Sequence, residues 1–274
     1  MRKQLVKTVT DILEKDERVV LLLGDIGVHG FKEAFEKFPK RVYNIGILEQ
    51  ASVSLAAGLA SAGMIPIFHT IAPFMVERAF EQLKDDFGYQ KLRGNFISVG
   101  ASYDYAALGC THHCPGDVAL MKTIPGMEVV VPGHPQEFDD LLRDGYDNRR
   151  PTYFRLSERS NSAPHRGLVK DGSNGIVVAI GPMLDPVLEA CQDLDVMVLY
   201  RNVVAPFIVP TTKTVIVEPF YQGTLAHELN GQPVLSIGVP RQFLRHYGTA
   251  AEHDKACGLT APQIKTRIQE FLGV

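Results

Sequence analysis

Glu49 is the residue of this sequence whose position most clearly indicates chemistry. It follows the apolar run VYNIGI (42–47) and opens a predicted helix of small and apolar residues, EQASVSLAAGLASAG (49–63). In an open parallel sheet, a helix start that follows a strand faces the ligand crevice. A structural role also fits, because the helix dipole favours an acid in the first turn by about 0.3–1 kcal/mol. The local sequence leaves both roles open.

A second candidate segment, LGCTHHCPGD (108–117), contains two adjacent histidines between two cysteines. A histidine with an ordinary pKa near 6.5 can donate and accept hydrogen bonds at neutral pH. The cysteines raise the question of a metal site. Their spacing fits no common structural zinc pattern, and no second ligand pair occurs elsewhere in the sequence. We therefore expect no metal site built by this chain.

The sequence around these residues predicts an α/β fold of two doubly wound domains with mainly parallel sheets. Apolar runs without alternation are typical of strands buried on both faces, and amphipathic helices separate them. The predicted strands lie at 19–25, 42–47, 65–70, 95–102, 127–133, 151–158, 175–181, 195–200, 214–219 and 233–238. The predicted helices include 49–63, 79–87, 135–147 and 261–272, and residues 1–20 read as a mature first helix.

A polar segment, RSNSAPHRG (159–167), divides the two predicted domains, 1–160 and 168–274. It contains Pro and Gly and lacks periodicity, which favours a linker. In the second domain, RNVVAPFIVPTTK (201–213) is too short and too rich in Pro for a crossover helix, so this domain looks reduced.

Composition excludes several classes of protein. The chain has 28 basic and 31 acidic residues, a formal charge of −3 and no basic block, so we expect no nucleic-acid partner. No apolar stretch approaches the roughly 20 residues that span a bilayer, so we expect no membrane partner and a cytoplasmic location. The four cysteines, in a chain of 274 residues, indicate reduced thiols rather than a disulfide framework.

The motif GILEQ, followed by an Ala- and Gly-rich helix, resembles the pyrimidine-binding domain of the transketolase family. Further similarities follow in chain order: a Phe-containing segment after the next strand, the TH histidine loop, IPGMEVVVPGHPQE (124–137) and PTYFRLSER (151–159). Residues 168–274 resemble the C-terminal domain of the same family in reduced form. The resemblance therefore implies the C-terminal section of a split, thiamine-diphosphate-dependent transketolase.

The resemblance also implies which residues bind the cofactor. Glu49 would hydrogen-bond the aminopyrimidine ring and favour the imino tautomer, whose nitrogen can remove the thiazolium C2 proton. Phe74 would stack on that ring, and Ile71 lies at a cofactor-side position where many relatives have an aromatic residue. Asp25 and Ile26 match an Asp–apolar pair near the cofactor. On local grounds, Phe74 could instead be a core aromatic residue and Asp25 a loop-capping acid.

For the substrate, the resemblance points first to His112. The matching family histidine contacts hydroxyl or phosphate groups of the substrate, so His112 is a catalytic and a substrate-binding candidate, and the adjacent His113 is the alternative. Arg159, or with less support Arg155, resembles an arginine that clamps a sugar phosphate, for which a planar guanidinium is suited. A solvated surface role remains open for both arginines.

Two departures from the family pattern shape these expectations. Where sugar-processing relatives have an acid before the TH pair, this chain has Ala107, Leu108 and Gly109, and where they often have a histidine near the strand end it has Tyr103 and Asp104. We therefore expect its substrate pocket to differ from that of a pentose-phosphate transketolase. The family holds diphosphate and Mg²⁺ through a GDG motif and a later Asn on an N-terminal domain, and no GDG occurs here. We expect a partner chain to hold the Mg²⁺, and this chain to pair with itself within a heterotetramer.

The resulting functional prediction is transfer of a two-carbon ketol unit from a ketose donor to an aldehyde acceptor, with a sugar or sugar phosphate as substrate. The THH loop and the LSERSN stretch (156–161) favour this activity over two alternatives. These are the β-subunit of a 2-oxoacid dehydrogenase and a carboligase resembling deoxyxylulose-phosphate synthase. A non-catalytic scaffolding subunit is a further alternative, against which the presence of Glu49 and Phe74 argues.

Overall fold

The computed structural model describes residues 1–207, 213–229 and 233–274. Its strands are β1 (Val19–Leu23), β2 (Val42–Asn44), β3 (Ile65–Ile71), β4 (Gly94–Val99), β5 (Glu128–Val130), β6 (Pro151–Arg155), β7 (Gly167–Lys170), β8 (Ile176–Ile180), β9 (Met197–Arg201), β10 (Val203–Ala205), β11 (Thr214–Tyr221) and β12 (Val234–Val239). Its helices are α1 (Arg2–Lys15), α2 (Lys32–Lys37), α3 (Glu49–Ser61), α4 (Ala72–Val76), α5 (Phe80–Gln82), α6 (Asp117–Met121), α7 (Pro135–Gly145), α8 (Leu184–Ala190), α9 (Ala250–Cys257) and α10 (Ala261–Leu272). None of these helices is long and apolar enough to cross a membrane.

The first sheet has the strand order β10-β5-β6-β4-β3-β1-β2 among the described residues. Neighbouring strands are parallel except at β10, which runs antiparallel to β5. Every residue of β1, β3, β4 and β6 is buried. Helices α1 and α7 contribute to the core on one face of the sheet and α3 to the core on the other, which explains why these strands are apolar without alternation.

The second sheet has the order β12-β11-β8-β9-β7 and is parallel except at its edge strand β7. Its core includes residues of α8, α9 and α10. The prediction of an α/β fold with two mainly parallel sheets is therefore confirmed. The division into domains 1–160 and 168–274 stays a prediction, and β10 lies beyond that boundary yet joins the first sheet. Within the Pro-rich segment 201–213, residues 208–212 lie outside the described part of the chain.

The predicted helix 79–87 is present but changes its winding. It begins as α5 and continues over Leu83–Tyr89 with the wider turn of a π-helix. Gly88 lies against Ile124 within this stretch, so a side chain at this position would collide with that of Ile124 unless one of them shifted.

A buried ion pair joins strand β6 of the first sheet to helix α6. Arg155, at the end of β6, places Nε 2.7 Å from Oδ2 of Asp117 in α6, and the two side chains are 1% and 0% exposed. The Tyr153 hydroxyl donates to the same carboxylate at 2.9 Å, and Arg155 also donates to the Ser102 hydroxyl at 2.6 Å. The guanidinium of Arg155, one of the two candidate phosphate clamps, is thus engaged inside the core.

We expect Arg155→Met to lower the free energy of unfolding by about 3–5 kcal/mol, because it leaves the buried Asp117 carboxylate without its cation. Urea unfolding of the variant and the wild type measures the difference. The control is Arg150→Met at an exposed position, which should cost no more than about 0.5 kcal/mol. Equal, small losses in both variants would contradict a structural role for Arg155.

Candidate active site

One edge of the first sheet collects the predicted site segments. Strands β4, β3, β1 and β2 are adjacent and parallel, so their carboxyl ends meet at this edge. Asp25 follows β1, Glu49 follows β2, Phe74 follows β3, and the loop that contains His112 follows β4. The topology therefore brings together segments that are far apart in the sequence.

Glu49 lies in the first turn of α3 and is only 1% exposed. Gly46, with φ of +82°, turns the chain from β2 toward this helix start. The carboxylate has two different environments: Oε2 accepts a hydrogen bond from Arg78 Nη1 at 2.8 Å, whereas Oε1 is buried without a partner. Sequence reasoning missed Arg78, which follows Glu77 near the end of the segment HTIAPFMVERAF (69–80) and carries no local signal that distinguishes it.

Phe74 presents a half-buried ring beside this carboxylate. The Arg78 guanidinium lies over the ring at 4.1 Å from its centroid. The His112 imidazole packs against the same ring in an edge-to-face arrangement, with 5.3 Å between centroids and an interplanar angle of 68°. Ile71 is buried at the end of β3, and Ile26 and Phe74 pack against the hydrophobic cluster that contains it. Three of the predicted cofactor-side residues, Ile26, Ile71 and Phe74, therefore belong to this cluster or pack against it, and we call them the apolar wall.

Asp25 connects the ends of two strands. Its backbone N–H donates to Asn44 Oδ1 at 3.0 Å, and Asn44 Nδ2 donates to Asp25 Oδ1 at 3.0 Å. The Gly46 N–H donates to the same Asn44 oxygen at 3.1 Å. Asp25 has a φ of +61°, in the left-handed region that Asp tolerates better than most residues. This network orders the turn that leads to Glu49, and Asn44 is a second residue that sequence reasoning missed.

A cavity of about 410 Å³ adjoins this wall. It is lined by residues of α1 and of the turn after β1, including Arg2, Asp25, Ile26 and His29, together with His69. The Arg2 guanidinium lies 5.4 Å from the centroid of the Tyr105 ring, and the buried Tyr105 hydroxyl has no partner. These polar groups could contact a hydroxylated or anionic ligand. Sequence reasoning missed both residues, because Arg2 reads as an ordinary charge at a helix start.

Burial keeps one histidine of this cavity neutral. His69 is 2% exposed in β3, and its Nδ1 lies 2.7 Å from the carbonyl oxygen of Ile97. Burial lowers the pKa of His69 to about 4, so the imidazole is uncharged at neutral pH and donates to that carbonyl.

The two adjacent histidines of the THH segment face different surroundings. His112 contacts Phe74 and accepts or donates a hydrogen bond with Thr111 Oγ1 at 2.9 Å. His113 is 8% exposed, and its ring lies 5.4 Å from the ring of His253 in α9. Burial lowers the pKa of His113. The structure thus groups His112 with Phe74 and directs His113 toward the C-terminal half.

The loop that contains both histidines is held by the C-terminal half at several points. The Ser102 hydroxyl donates to the Pro219 carbonyl, and the Tyr221 N–H donates to the Pro115 carbonyl at 2.9 Å. Tyr247 packs on Gly109, where a Cβ would lie 2.7 Å from the tyrosine ring. The position of His112 therefore depends on residues from both sheets.

Arg159 lines a different cavity, between the two halves of the chain. Its guanidinium pairs with the Asp254 carboxylate, which also accepts a hydrogen bond from the Tyr103 hydroxyl at 2.6 Å. Asp104 lines the same cavity, and burial raises its pKa to about 6. The structure does not bring Arg159 into the group formed by Glu49, Arg78 and Phe74, and its role as a phosphate clamp stays a prediction.

The cysteines of the CTHHC segment point to different environments. Cys110 is exposed and Cys114 is buried, and all four cysteines of the chain are free. Burial raises the pKa of the Cys114 thiol well above its ordinary value, and its Sγ lies 3.6 Å from Glu77 Oε1. Across the described ranges, no group of three or more His, Cys, Asp or Glu residues is arranged to hold a metal ion.

Comparison with known sequences agrees with this geometry. Residues 1–162 match the family model described as transketolase, pyrimidine binding domain. An uncharacterized 33.6 kDa protein in the fasciation locus of Rhodococcoides fascians is 42% identical over 289 residues, which cover 97% of this chain and 93% of that protein. A 1-deoxy-D-xylulose-5-phosphate synthase of Lawsonia intracellularis is 27% identical over 97% of this chain, which spans only 47% of the synthase.

Comparison with solved structures shows the same fold. A structure described as a split gene transketolase, inactive β4 tetramer, has a TM-score of 0.84 at 24% identity and covers 99% of this chain and 97% of its own. The transketolase from Leishmania mexicana has a TM-score of 0.86 at 17% identity, over 99% of this chain and 45% of its own. Since the family model matches more than half of the 274 residues, the chain belongs to the transketolase pyrimidine-binding-domain family.

Proposed function

We propose that this chain is the pyrimidine-binding subunit of a split, thiamine-diphosphate-dependent transketolase. The observation that carries the proposal is the Glu49 carboxylate, which is buried, engaged by Arg78 through Oε2 and unpaired at Oε1. A buried polar atom left without a partner costs about 1–3 kcal/mol, so a ligand that hydrogen-bonds Oε1 recovers that energy. The half-buried Phe74 ring nearby offers a stacking surface for a flat heterocycle.

These residues fit the aminopyrimidine of thiamine diphosphate. Glu49 would hold a proton between Oε1 and a ring nitrogen, Phe74 would stack on the ring face, and Ile26 and Ile71 would exclude water from its edges. The cofactor, when bound, supplies the nucleophilic carbon and the electron sink that C–C bond cleavage requires. His112, at the edge of the Phe74 ring, would hydrogen-bond a substrate hydroxyl or phosphate.

An exposed apolar patch supports the need for a partner chain. We define the α3 patch as Tyr43, Ile47, Leu48 and Leu55, which are 42%, 66%, 57% and 45% exposed. The patch lies on both sides of Glu49 and includes β2, at the edge of the first sheet. Large apolar side chains that are exposed in neighbouring segments are a feature of protein interfaces. We assign the diphosphate and Mg²⁺ to the partner chain, which the absence of a GDG motif from this sequence supports.

The comparisons supply a second line of support for the split arrangement. The chain spans about half the length of the synthases that it matches, as 47% coverage of the Lawsonia intracellularis enzyme illustrates. The structural neighbour described as a split gene transketolase has nearly the same length as this chain, since 97% of it is covered. A second polypeptide with the remaining half, forming a heterotetramer with two copies of each chain, is therefore part of the proposal.

A carboligase of the deoxyxylulose-phosphate-synthase type is the second candidate. Synthases from several bacteria are 27–29% identical to this chain, including those of Lawsonia intracellularis and Shewanella sediminis. The two reactions differ in the donor, which is a ketose for a transketolase and pyruvate for a synthase. Assays of the two-chain assembly with each donor and a common aldehyde acceptor separate them.

We expect Glu49→Gln to lower turnover of the two-chain assembly by about 10²–10⁴-fold, because an amide cannot pass a proton to the ring. Carbon-unit transfer is assayed with thiamine diphosphate and Mg²⁺ present, and circular dichroism checks that the fold is retained. The matched control is Glu33→Gln, an exposed acid in the first turn of α2, which should leave turnover unchanged.

Turnover of Glu49→Gln within a few-fold of wild type would remove this carboxyl group from the mechanism. Cofactor binding addresses the scaffolding alternative. Thiamine diphosphate at 100 times its Kd should stabilise the wild-type assembly by about 2.7 kcal/mol. No stabilisation would favour a non-catalytic subunit.

We expect His112→Ala to raise the substrate KM by about 3–10-fold, the effect of one lost hydrogen bond, with a smaller change in cofactor Kd. Steady-state kinetics and calorimetric cofactor titration measure the two constants. His113→Ala is the comparison, and its effect on KM should be smaller because its ring faces α9. An equal loss of substrate and cofactor affinity in His112→Ala would place this side chain beside the cofactor instead.

We expect the double substitution Ile47→Asp/Leu48→Asp to weaken assembly at least about tenfold, because it places two charges in an interface that would bury them. Sedimentation velocity over a concentration series measures the assembly constants. Leu168→Asp, at a 54% exposed position on β7, is the matched control and should assemble normally. Normal assembly of the double variant would show that the α3 patch is not the interface.

A further inference from the structure

Arg78 contacts both groups that would meet the pyrimidine ring. Its Nη1 lies 2.8 Å from Oε2 of Glu49, and its guanidinium carbon lies 4.1 Å from the centroid of the Phe74 ring. Phe74 lies in α4 and Arg78 lies two residues beyond its end, so the turn that follows the helix brings the guanidinium over the ring. One planar cation thus touches the candidate proton-transfer group and the candidate stacking surface.

The contact with Glu49 determines which carboxylate oxygen is available. A carboxylate that is 1% exposed is destabilised by several kcal/mol unless a cation compensates it. Arg78 supplies that cation at Oε2, and Oε1 remains without a partner. A guanidinium is rigid and planar, so its hydrogen bond restricts rotation of the carboxylate more than a lysine ammonium would.

The contact with Phe74 restrains the ring. A cation over an aromatic face is attracted by the ring, and the attraction is stronger where the cation is desolvated. The Arg78 side chain is 38% exposed, so it lies at the boundary between the buried carboxylate and solvent. Phe74 also contacts His112, which extends the same chain of contacts to the candidate substrate residue.

We propose that Arg78 is a positioning residue. It fixes the plane of the Glu49 carboxylate and the orientation of the Phe74 ring together, so that both side chains can contact one heterocycle. The proposal rests on the proposed function of Glu49. Arg78 acts through these two side chains and touches neither the substrate nor the reacting carbon. Its loss therefore affects activation of the cofactor more than binding of the substrate.

The test measures activation of the cofactor directly. Exchange of the C2 proton of thiamine diphosphate for deuterium is followed by NMR in the two-chain assembly, in the presence of Mg²⁺ and without substrate. We expect Arg78→Met to slow exchange by about 10–100-fold, the scale of a small misplacement of a catalytic group, while substrate KM changes little. Arg78→Lys restores the charge without the planar fork and should give an intermediate rate.

The matched control is Arg143→Gln. Arg143 lies in α7, is 28% exposed and forms ion pairs with Asp11 of α1 and Asp139 of α7. It should leave the exchange rate unchanged. A wild-type exchange rate in Arg78→Met would overturn the proposal.

A second measurement needs no cofactor. In a double-mutant cycle on this chain, Arg78→Met should lower the Tm in the wild-type background and have little effect in a Glu49→Gln background. Independent effects of the two substitutions would also overturn the proposal, because they would show that the ion pair does not couple the two side chains.

Failure of the proposed function has a different signature. In that case the wild-type assembly would not accelerate exchange over free thiamine diphosphate, and this result overturns the positioning role as well. Wild-type acceleration combined with a normal rate in Arg78→Met overturns the positioning role alone.

Discussion

The burial of one carboxylate, that of Glu49, is the constraint on which the site depends. A buried charge requires a compensating cation, and the chain provides it from the segment after β3, 29 residues further along the sequence. This pairing requires the carboxyl ends of β2 and β3 to lie at the same edge of the sheet. The parallel order β3-β1-β2 meets that requirement, since the intervening strand β1 holds the two ends apart at a fixed distance.

The two halves of the molecule contribute differently to this arrangement. The first sheet provides the apolar wall and the carboxylate from the ends of β1, β2 and β3. The second half contributes through contacts with the loop after β4, at Pro219, Tyr221 and Tyr247. Strand β10 adds a further connection, because it leaves the second half and pairs with β5 of the first sheet. The site is thus a property of the whole chain.

Sequence patterns predicted the central strands because a strand buried on both faces must be apolar throughout, as β1 and β3 are. They did not predict β7 or β10, which are three or four residues long and lie at sheet edges, where the apolar signal is weak. The motif GILEQ identified Glu49. It could not identify Arg78 or Asn44, because their roles arise from side-chain contacts between segments far apart in the sequence. Nor could it separate His112 from His113, since the loop geometry alone directs the two rings apart.

The opposed orientation of these two neighbouring rings attaches the histidine loop to both halves of the chain. His112 contacts Phe74 in α4, whereas His113 contacts His253 in α9. Adjacent residues of one loop are therefore anchored in different halves of the chain. Loss of either contact would leave the loop held from one side only. A change in the packing of α9 would therefore reach His112 through a single peptide unit.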